Sequence, residues 1–244
     1  MSAGGLPFKT RQKIGQWGED TFCEYFRKHT EAGVRVLKYG EASHETAKAS
    51  GDAVIRPDLL LIDQHDIDRL ILDDVLTSTT DLRLLPDSDP AVQAAVAAAW
   101  VAVEVKFSHR EYRPRTINFI FDNRRRDAYL KWKARTPHLE DVVVWFTTNR
   151  VFMARMDRIL SQGRDQSRPY ESWGKGVRVK ETRDLPVESG TFFANVVGYR
   201  VNETLRPSLK LNPRSGAINF DVEDDLGDLS DVDLDALRRI AKEA

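Results

Sequence analysis

The sequence of 244 residues predicts an α/β fold, with a mixed central β-sheet flanked by helices and extra β-rich elements towards the C-terminal end. Three observations predict it. Apolar residues at helical spacing alternate with short strand-like runs through the first half of the chain. The continuous apolar run VVVWF, at 142–146, is typical of a strand that is buried on both faces. Two runs after residue 170 are rich in β-branched and aromatic residues.

The elements of the first half follow in order. Residues 9–28 predict the first helix, because their aromatic side chains recur near helical spacing. Residues 34–40 predict a short strand, and the polar, turn-rich residues 41–52 predict a loop. Residues 55–63 predict a strand that is entered through Pro57, a position at which strands tolerate proline.

The next stretch begins with an ambiguity. Residues 64–90 are acidic, and the run DIDRLILDDVL within them fits either a short helix or one arm of a hairpin. Residues 91–99 predict a helix, and residues 100–108 (WVAVEVKFS) predict a strand. The later predicted elements are a helix at 121–136 with Asp122 or Asn123 as N-cap, a strand at 141–148, a helix at 150–162, strands at 176–185 and 191–201, and a short helix at 233–244.

The length and the composition predict one domain with a polar, charged surface. We expect a single domain at 1–220, with a core at about 11–148 and a C-terminal elaboration at about 149–220. Residues 221–244 are acidic and predict a tail, which is either a solvated end or a segment that docks on the basic face of a partner subunit.

Composition also bounds the location and the chemistry. Cys23 is the only cysteine and lies in an apolar helix pattern, which predicts a packing role and fits a reducing cytoplasm. Charged residues interrupt the most apolar stretch, so no membrane span is expected. The five histidines lack zinc-site spacing, although His109 follows the strand at 100–108 and is a minor candidate for proton transfer. The phosphate-binding motif G-x-x-x-x-G-K-[ST] does not occur, and neither does G-x-S-x-G, the turn that carries a serine nucleophile.

One group of charged residues carries a specific chemistry. Side chains alternate along a strand, so Glu104 and Lys106 share one face, while Asp58 opens a separate apolar strand. If the two strands are neighbours, both carboxylates converge and can hold Mg²⁺, a hard cation that prefers oxygen ligands. The lysine can then position or help activate a water, and Glu19 on the first helix is a candidate supporting acid.

These residues resemble the signature of the PD-(D/E)xK nucleases, which is carried here by Pro57-Asp58 and by Glu104-Val105-Lys106. The order of elements from about 11 to 148 is similar as well, and the long segment between the two motifs is the one departure. The resemblance implies a restriction-endonuclease-like core, most like that of a type II restriction endonuclease. It further implies Asp58 and Glu104 as Mg²⁺ ligands, Lys106 as an aid to the attacking water, and Glu19 as a support. A cytoplasmic homodimer acting on double-stranded DNA is also implied, because two-fold protein symmetry matches a palindromic site.

A basic stretch directly follows the E-x-K motif, although the net charge of the chain is only −1. Arginine binds phosphates and base edges, so we expect this stretch to face DNA. The residues assigned to DNA contact are Arg113, Arg115, Arg124, Arg125, Arg126, Lys131 and Lys133.

Other interpretations of the same residues stay open. Glu104 and Lys106 also fit a solvated strand face, Asp58 fits a turn residue, and the arginines fit surface ion pairs. Two rival functions follow. One is a structure-specific or defence-system nuclease of the same superfamily, and the other is a DNA-binding or assembly module in which the E-x-K is incidental.

Overall fold

The computed structural model describes residues 8–40, 56–77, 80–108, 110–172, 176–198 and 227–242. The predicted loop at 41–52 and His109 lie outside these residues. Within them the helices are α1 (Phe8–Lys28), α2 (Gln64–Leu72), α3 (Pro90–Ala98), α4 (Arg126–Arg135), α5 (Met156–Gln162) and α6 (Leu234–Lys242). The strands are β1 (Val34–Lys38), β2 (Leu59–Asp63), β3 (Ala99–Phe107), β4 (Asn118–Asp122), β5 (Glu140–Phe146), β6 (Arg150–Arg155), β7 (Arg164–Ser172), β8 (Gly176–Pro186), β9 (Thr191–Val197) and β10 (Asp228–Ser230).

The central sheet has seven strands in the order β1-β2-β3-β5-β6-β9-β10. Strands β3 and β5 run parallel, whereas the other neighbouring pairs are antiparallel. A second, antiparallel sheet has the order β4-β8-β7. The predicted class, a mixed central sheet flanked by helices in an α/β fold, is therefore confirmed.

Helices cover both faces of the central sheet. Helices α1 and α6 pack on one face, where Phe22 and Leu237 join the valines of β3 and β5 in one buried cluster. Helices α2, α3 and α4 pack on the opposite face, as do α5 and the second sheet further along it. Each large apolar side chain buried in this way contributes about 1.5–3 kcal/mol, so the two-sided cover explains why β5 is apolar at successive positions.

The segment between the two motifs resolves an ambiguity of the sequence. Residues Gln64–Leu72 form α2, a helix rather than a hairpin arm, and bury Ile67 and Leu70. Helix α3 then begins with Pro90 behind Asp89, whose carboxylate accepts a hydrogen bond from the N–H of Ala91 at 2.8 Å. The long segment thus packs on one face of the sheet, and β2 and β3 still pair directly.

The predicted helix at 150–162 is wrong in its first half. Residues Arg150–Arg155 form β6, which lies between β5 and β9 and is buried along most of its length. A short apolar run such as VFMA fits a buried strand and a buried helix equally well, and the two neighbouring strands decide between them. Only Met156–Gln162 is helical.

The C-terminal segment departs from the predicted solvated tail. Strand β10 pairs with β9, and α6 buries Ala236, Leu237 and Ile240 in the same cluster as Phe22. The segment is acidic overall, which predicts a tail, but three of its apolar residues share one helix face and can pack against the core. Residues 228–242 therefore complete the core.

Cys23 packs against the buried cluster under α1, as predicted. Burial raises the pKa of its thiol to about 12, so the side chain is an unreactive packing group. Across the described ranges, every helix is too short or too polar to cross a membrane.

Candidate active site

Asp58 and Glu104 meet at the place where β2 begins. Leu59 pairs with Val103 in the antiparallel ladder, so Asp58, one residue earlier, comes opposite Glu104. The Asp58 carboxylate accepts a hydrogen bond from the backbone N–H of Val105 at 2.6 Å. The Asp58 side chain thereby accepts a hydrogen bond from the β3 backbone just beyond the last paired residues of β2, and this bond fixes the acid against β3.

The backbone of Asp58 is held just as firmly. Its carbonyl oxygen accepts hydrogen bonds from the N–H groups of Tyr39 and Gly40, at 2.9 and 3.0 Å. A Cβ atom at Gly40 would lie 2.9 Å from the Asp58 Cα, closer than such contacts allow. Glycine at this position therefore permits the close approach that places Asp58 in the site.

The Lys106 ammonium lies between the two acids. It donates a hydrogen bond to the Glu104 carboxylate and lies 3.9 Å from Asp58 Oδ2. It also donates to the carbonyl oxygen of Val105 at 3.2 Å. Burial opposes the charge on Lys106, but the carboxylates of Glu104 and Asp58 outweigh it and raise the pKa of Lys106 above its usual range.

Glu19 reaches the same region from α1, on the other side of β3. It is half-buried, and burial raises the pKa of its carboxyl above the usual range, while Lys38 and Lys106 oppose that shift. Gly18 makes the approach possible, because a Cβ atom there would lie only 3.2 Å from the Val105 Cγ1. The structure therefore brings Asp58, Glu104 and Lys106 together, whereas Glu19 is linked to them only by the mutual influence of their charges.

The close fit at Gly18 gives a matched pair of substitutions on α1. We expect Gly15→Ala, where nothing lies within 4 Å, to raise the free energy of unfolding by about 0.5–1 kcal/mol, the helix-propensity gain of alanine over glycine. Gly18→Ala should lose that gain, because overpacking against Val105 costs roughly 1–3 kcal/mol. Urea unfolding of the two variants measures the difference, and equal stabilisation would contradict the close packing.

Asp58 is the most perturbed acid of the site. Burial raises the pKa of Asp58 to about 8; the Glu104 carboxylate adds to this, and the Lys106 ammonium opposes it. Burial and the neighbouring carboxylate therefore favour the protonated form of Asp58 in the folded protein without a metal ion. A divalent cation would relieve the crowding of negative charge at this position.

This shift predicts how stability depends on pH without divalent metal. The folded state keeps the Asp58 proton up to about pH 8, whereas the unfolded chain loses it near 3.8. Stability contributed by the proton is therefore complete below pH 3.8 and lost as the pH rises towards 8. We expect Asp58→Asn to flatten this decline in urea unfolding from pH 4 to pH 8. Asp63→Asn, an exposed change at the other end of β2, is the control and should leave the wild-type slope unchanged.

The donor set fits magnesium. Over the described ranges, no group of three or more His, Cys, Asp or Glu side chains is placed to hold a metal ion. Mg²⁺ is commonly held by one or two carboxylates, with water and substrate phosphate completing its ligands. The carboxylates of Asp58 and Glu104 supply such a pair. The carbonyl oxygen of Val105 lies close to them, because it accepts a hydrogen bond from the same Lys106 ammonium.

The three consecutive arginines diverge. Asp122 caps a 3-10 turn, Asn123–Arg125, whereas α4 itself begins at Arg126 with Arg125 as its N-cap, so the helix starts four residues after Asp122, later than predicted. Arg124 turns back to Asp122 at 2.9 Å, whereas Arg125 lies 3.9 Å from the Glu104 carboxylate. Arg126 is exposed. The contact between Arg125 and Glu104 has no signal in the sequence, because the two residues are 21 positions apart and no local pattern links them.

The other basic residues assigned to DNA contact differ in their surroundings. Arg113 and Lys131 are exposed, and so is Arg115, whose backbone N–H donates to Glu188. Lys133 instead donates to the Leu139 carbonyl and lies 3.1 Å from the Asp141 carboxylate. Lys133 therefore ties α4 to β5, and DNA contact at all these residues stays a prediction.

The described site thus combines two opposed carboxylates, a lysine between them, a third acid nearby and an arginine at the rim. These residues come from α1, the start of β2, the end of β3 and the turn before α4. Comparison of the chain with protein-family models, with curated proteins and with solved structures gives no match in any of the three.

Proposed function

We propose that the protein is a Mg²⁺-dependent endonuclease of the PD-(D/E)xK type, with a restriction-endonuclease-like core, that hydrolyses phosphodiester bonds of double-stranded DNA at a specific sequence. The observation that carries the proposal is the meeting of Asp58 and Glu104 around the Lys106 ammonium, where two strands pair. Burial and the Glu104 carboxylate raise the pKa of Asp58, and strongly perturbed groups concentrate at functional sites.

In this proposal Asp58 and Glu104 hold the metal ion. When bound, Mg²⁺ lowers the pKa of a water molecule and offsets the charge of a phosphate. The two carboxylates would provide the negative charge that attracts the cation, and any proton on Asp58 would have to leave for the cation to bind. Glu19, at the edge of the pair, adds negative charge without being placed as a direct ligand.

Lys106 acts as a cation and a hydrogen-bond donor. Its pKa is raised, so the ammonium stays protonated at neutral pH and does not accept the proton of the attacking water. Its three N–H groups can orient that water and stabilise the negative charge that develops on the phosphate. Arg125, beside Glu104 and half-exposed, is placed to bind a phosphate oxygen on the same side.

DNA cleavage tests the proposal directly. The protein is incubated with plasmid and bacteriophage DNA of known sequence, with Mg²⁺ and in parallel with EDTA. Discrete fragments that appear only with Mg²⁺ are the expected result. A smear, or cutting of branched DNA alone, would contradict sequence specificity. It would instead favour a structure-specific or defence-system nuclease. Equal DNA binding with and without Mg²⁺, and no cutting of any substrate, would overturn the nuclease and favour a binding module.

The assembly state is part of the same proposal. A homodimer would supply two sites for the two strands of a palindromic sequence. Sedimentation of the protein with a short duplex that contains the cut sequence measures the stoichiometry. Two chains per duplex are expected, and one chain per duplex would contradict the dimer while leaving the cleavage chemistry intact.

A further inference from the structure

A cavity of about 360 Å³ adjoins the candidate active site. It lies over the face of the central sheet that carries Glu104 and Lys106, and both of these residues line it. Strand β4 and helices α4 and α5 form its other walls. Its size falls in the range of about 300–1,000 Å³ that is usual for small-ligand sites. No step of the proposed hydrolysis uses this space.

Four aromatic residues contribute to the walls. Phe121, Tyr129, Trp132 and Trp145 all line the cavity, and the strand register places Trp145 directly beside Lys106. Flat aromatic walls favour a flat ligand, which can stack on them.

The charges of the walls are already paired. Lys180 lies 3.1 Å from the Asp122 carboxylate, and Lys106 binds Glu104. Asp141 accepts a hydrogen bond from the Trp132 indole at 3.0 Å and pairs with Lys133 outside the cavity. A charged ligand would disrupt these pairs, whereas an uncharged one leaves them intact. The interior therefore suits a neutral ring.

We propose that this cavity receives the base of a nucleotide that is turned out of the DNA duplex beside the phosphodiester to be cut. This inference rests on the proposed function, because it is the nuclease that brings DNA to Glu104 and Lys106. Turning a base out breaks its stacking and pairing, and the aromatic walls replace the lost stacking.

One substitution can fill the cavity without touching the charged residues. Ile120 on β4 is half-buried and lines the cavity, so Ile120→Trp places an indole in it. Leu130→Trp is the matched control, because Leu130 lies on the exposed side of α4 and does not line the cavity. Circular dichroism and urea unfolding establish that both variants are folded.

Binding of single nucleotides tests the cavity apart from any cleavage. The four 2′-deoxynucleoside 5′-monophosphates are titrated calorimetrically in EDTA, with 2-deoxyribose 5-phosphate as the ligand without a base. We expect at least one nucleotide to bind about 10-fold or more tightly than the sugar phosphate. Ile120→Trp should abolish that advantage, and Leu130→Trp should keep it. Equal binding of the sugar phosphate, no binding of any nucleotide, or unchanged binding by Ile120→Trp would overturn the cavity as a base site.

A second measurement follows the base in DNA. The fluorescence of 2-aminopurine changes when the base exchanges its neighbours in the stack for other rings, so single substitutions are placed around the cut position. Wild-type protein should change the signal at one position and Ile120→Trp at none; no change at any position would overturn the turned-out base. If the protein binds nucleotides in the cavity but cuts no DNA, the cavity remains a base site and the proposed nuclease function is overturned. Unchanged cutting by Ile120→Trp would overturn the cavity alone.

Discussion

Glu104→Gln is expected to lower the rate of DNA cleavage by about 10³-fold or more. Glutamine keeps the shape of the side chain and can still accept a hydrogen bond from Lys106, but it removes one of the two negative charges that would hold Mg²⁺. Bound metal supplies several kcal/mol of charge stabilisation, and each 1.36 kcal/mol corresponds to a factor of ten in rate. Single-turnover cleavage at several Mg²⁺ concentrations measures the loss.

Glu140→Gln is the matched control for this change. Glu140 lies on the neighbouring strand β5, its side chain is 12% exposed against 16% for Glu104, and it forms an ion pair with Arg155 away from the site. Cleavage by Glu140→Gln should stay close to the wild-type rate. If Glu104→Gln cut as fast as Glu140→Gln, the pair of carboxylates would be no more than a polar strand face.

Leu237→Ala is expected to lower the free energy of unfolding by about 2–5 kcal/mol, the usual cost of removing a fully buried leucine side chain. Leu237 is 1% exposed and packs in the same cluster as Phe22 and Phe193. The loss is a large share of the 5–15 kcal/mol that stabilises a typical domain. Urea unfolding, followed by tryptophan fluorescence, measures it.

Asp235→Ala, two residues away on the same helix, provides the comparison. Its side chain is 77% exposed, so a change of less than about 0.5 kcal/mol is expected. A similarly small change for Leu237→Ala would mean that α6 does not pack on the sheet in solution. That result would restore the solvated acidic tail that the composition of residues 221–244 suggests.

Local pattern predicts one half of the site, the shared face of Glu104 and Lys106. The alternation of side chains placed Glu104 and Lys106 on one face, and the structure puts both beside the same cavity. The convergence of Asp58 with Glu104 followed from the assumption that two apolar strands are neighbours, and β2 and β3 do pair. The first inference needs only the alternation within one strand, whereas the second also needs β2 and β3 to be neighbours, which the period-two pattern does not encode.

Other parts of the site depend on contacts between distant segments, which no local pattern encodes. The position of Arg125 against Glu104 is set by the packing of the turn before α4. The hydrogen bond from the Val105 backbone to Asp58 involves no side chain of Val105, so residue type carries no signal of it. The identity of β6 was decided by β5 and β9, since its own apolar residues fit two structures.

The way in which the two ends of the described chain are tied together bears on how the protein is synthesised. Lys28 lies 3.5 Å from Asp228, and Arg238 donates a hydrogen bond to the Ala32 carbonyl, across 200 and 206 positions of sequence. A nascent chain emerging from the ribosome at about 5–20 residues per second can pair β2 with β3 early, but it lacks α6 until residue 242 has been added. During that interval Phe22 and Phe193 have an incomplete cover. Truncated chains that lack α6 would keep this apolar surface exposed. Chaperones would bind such chains and proteases would degrade them, as they do other incompletely folded proteins.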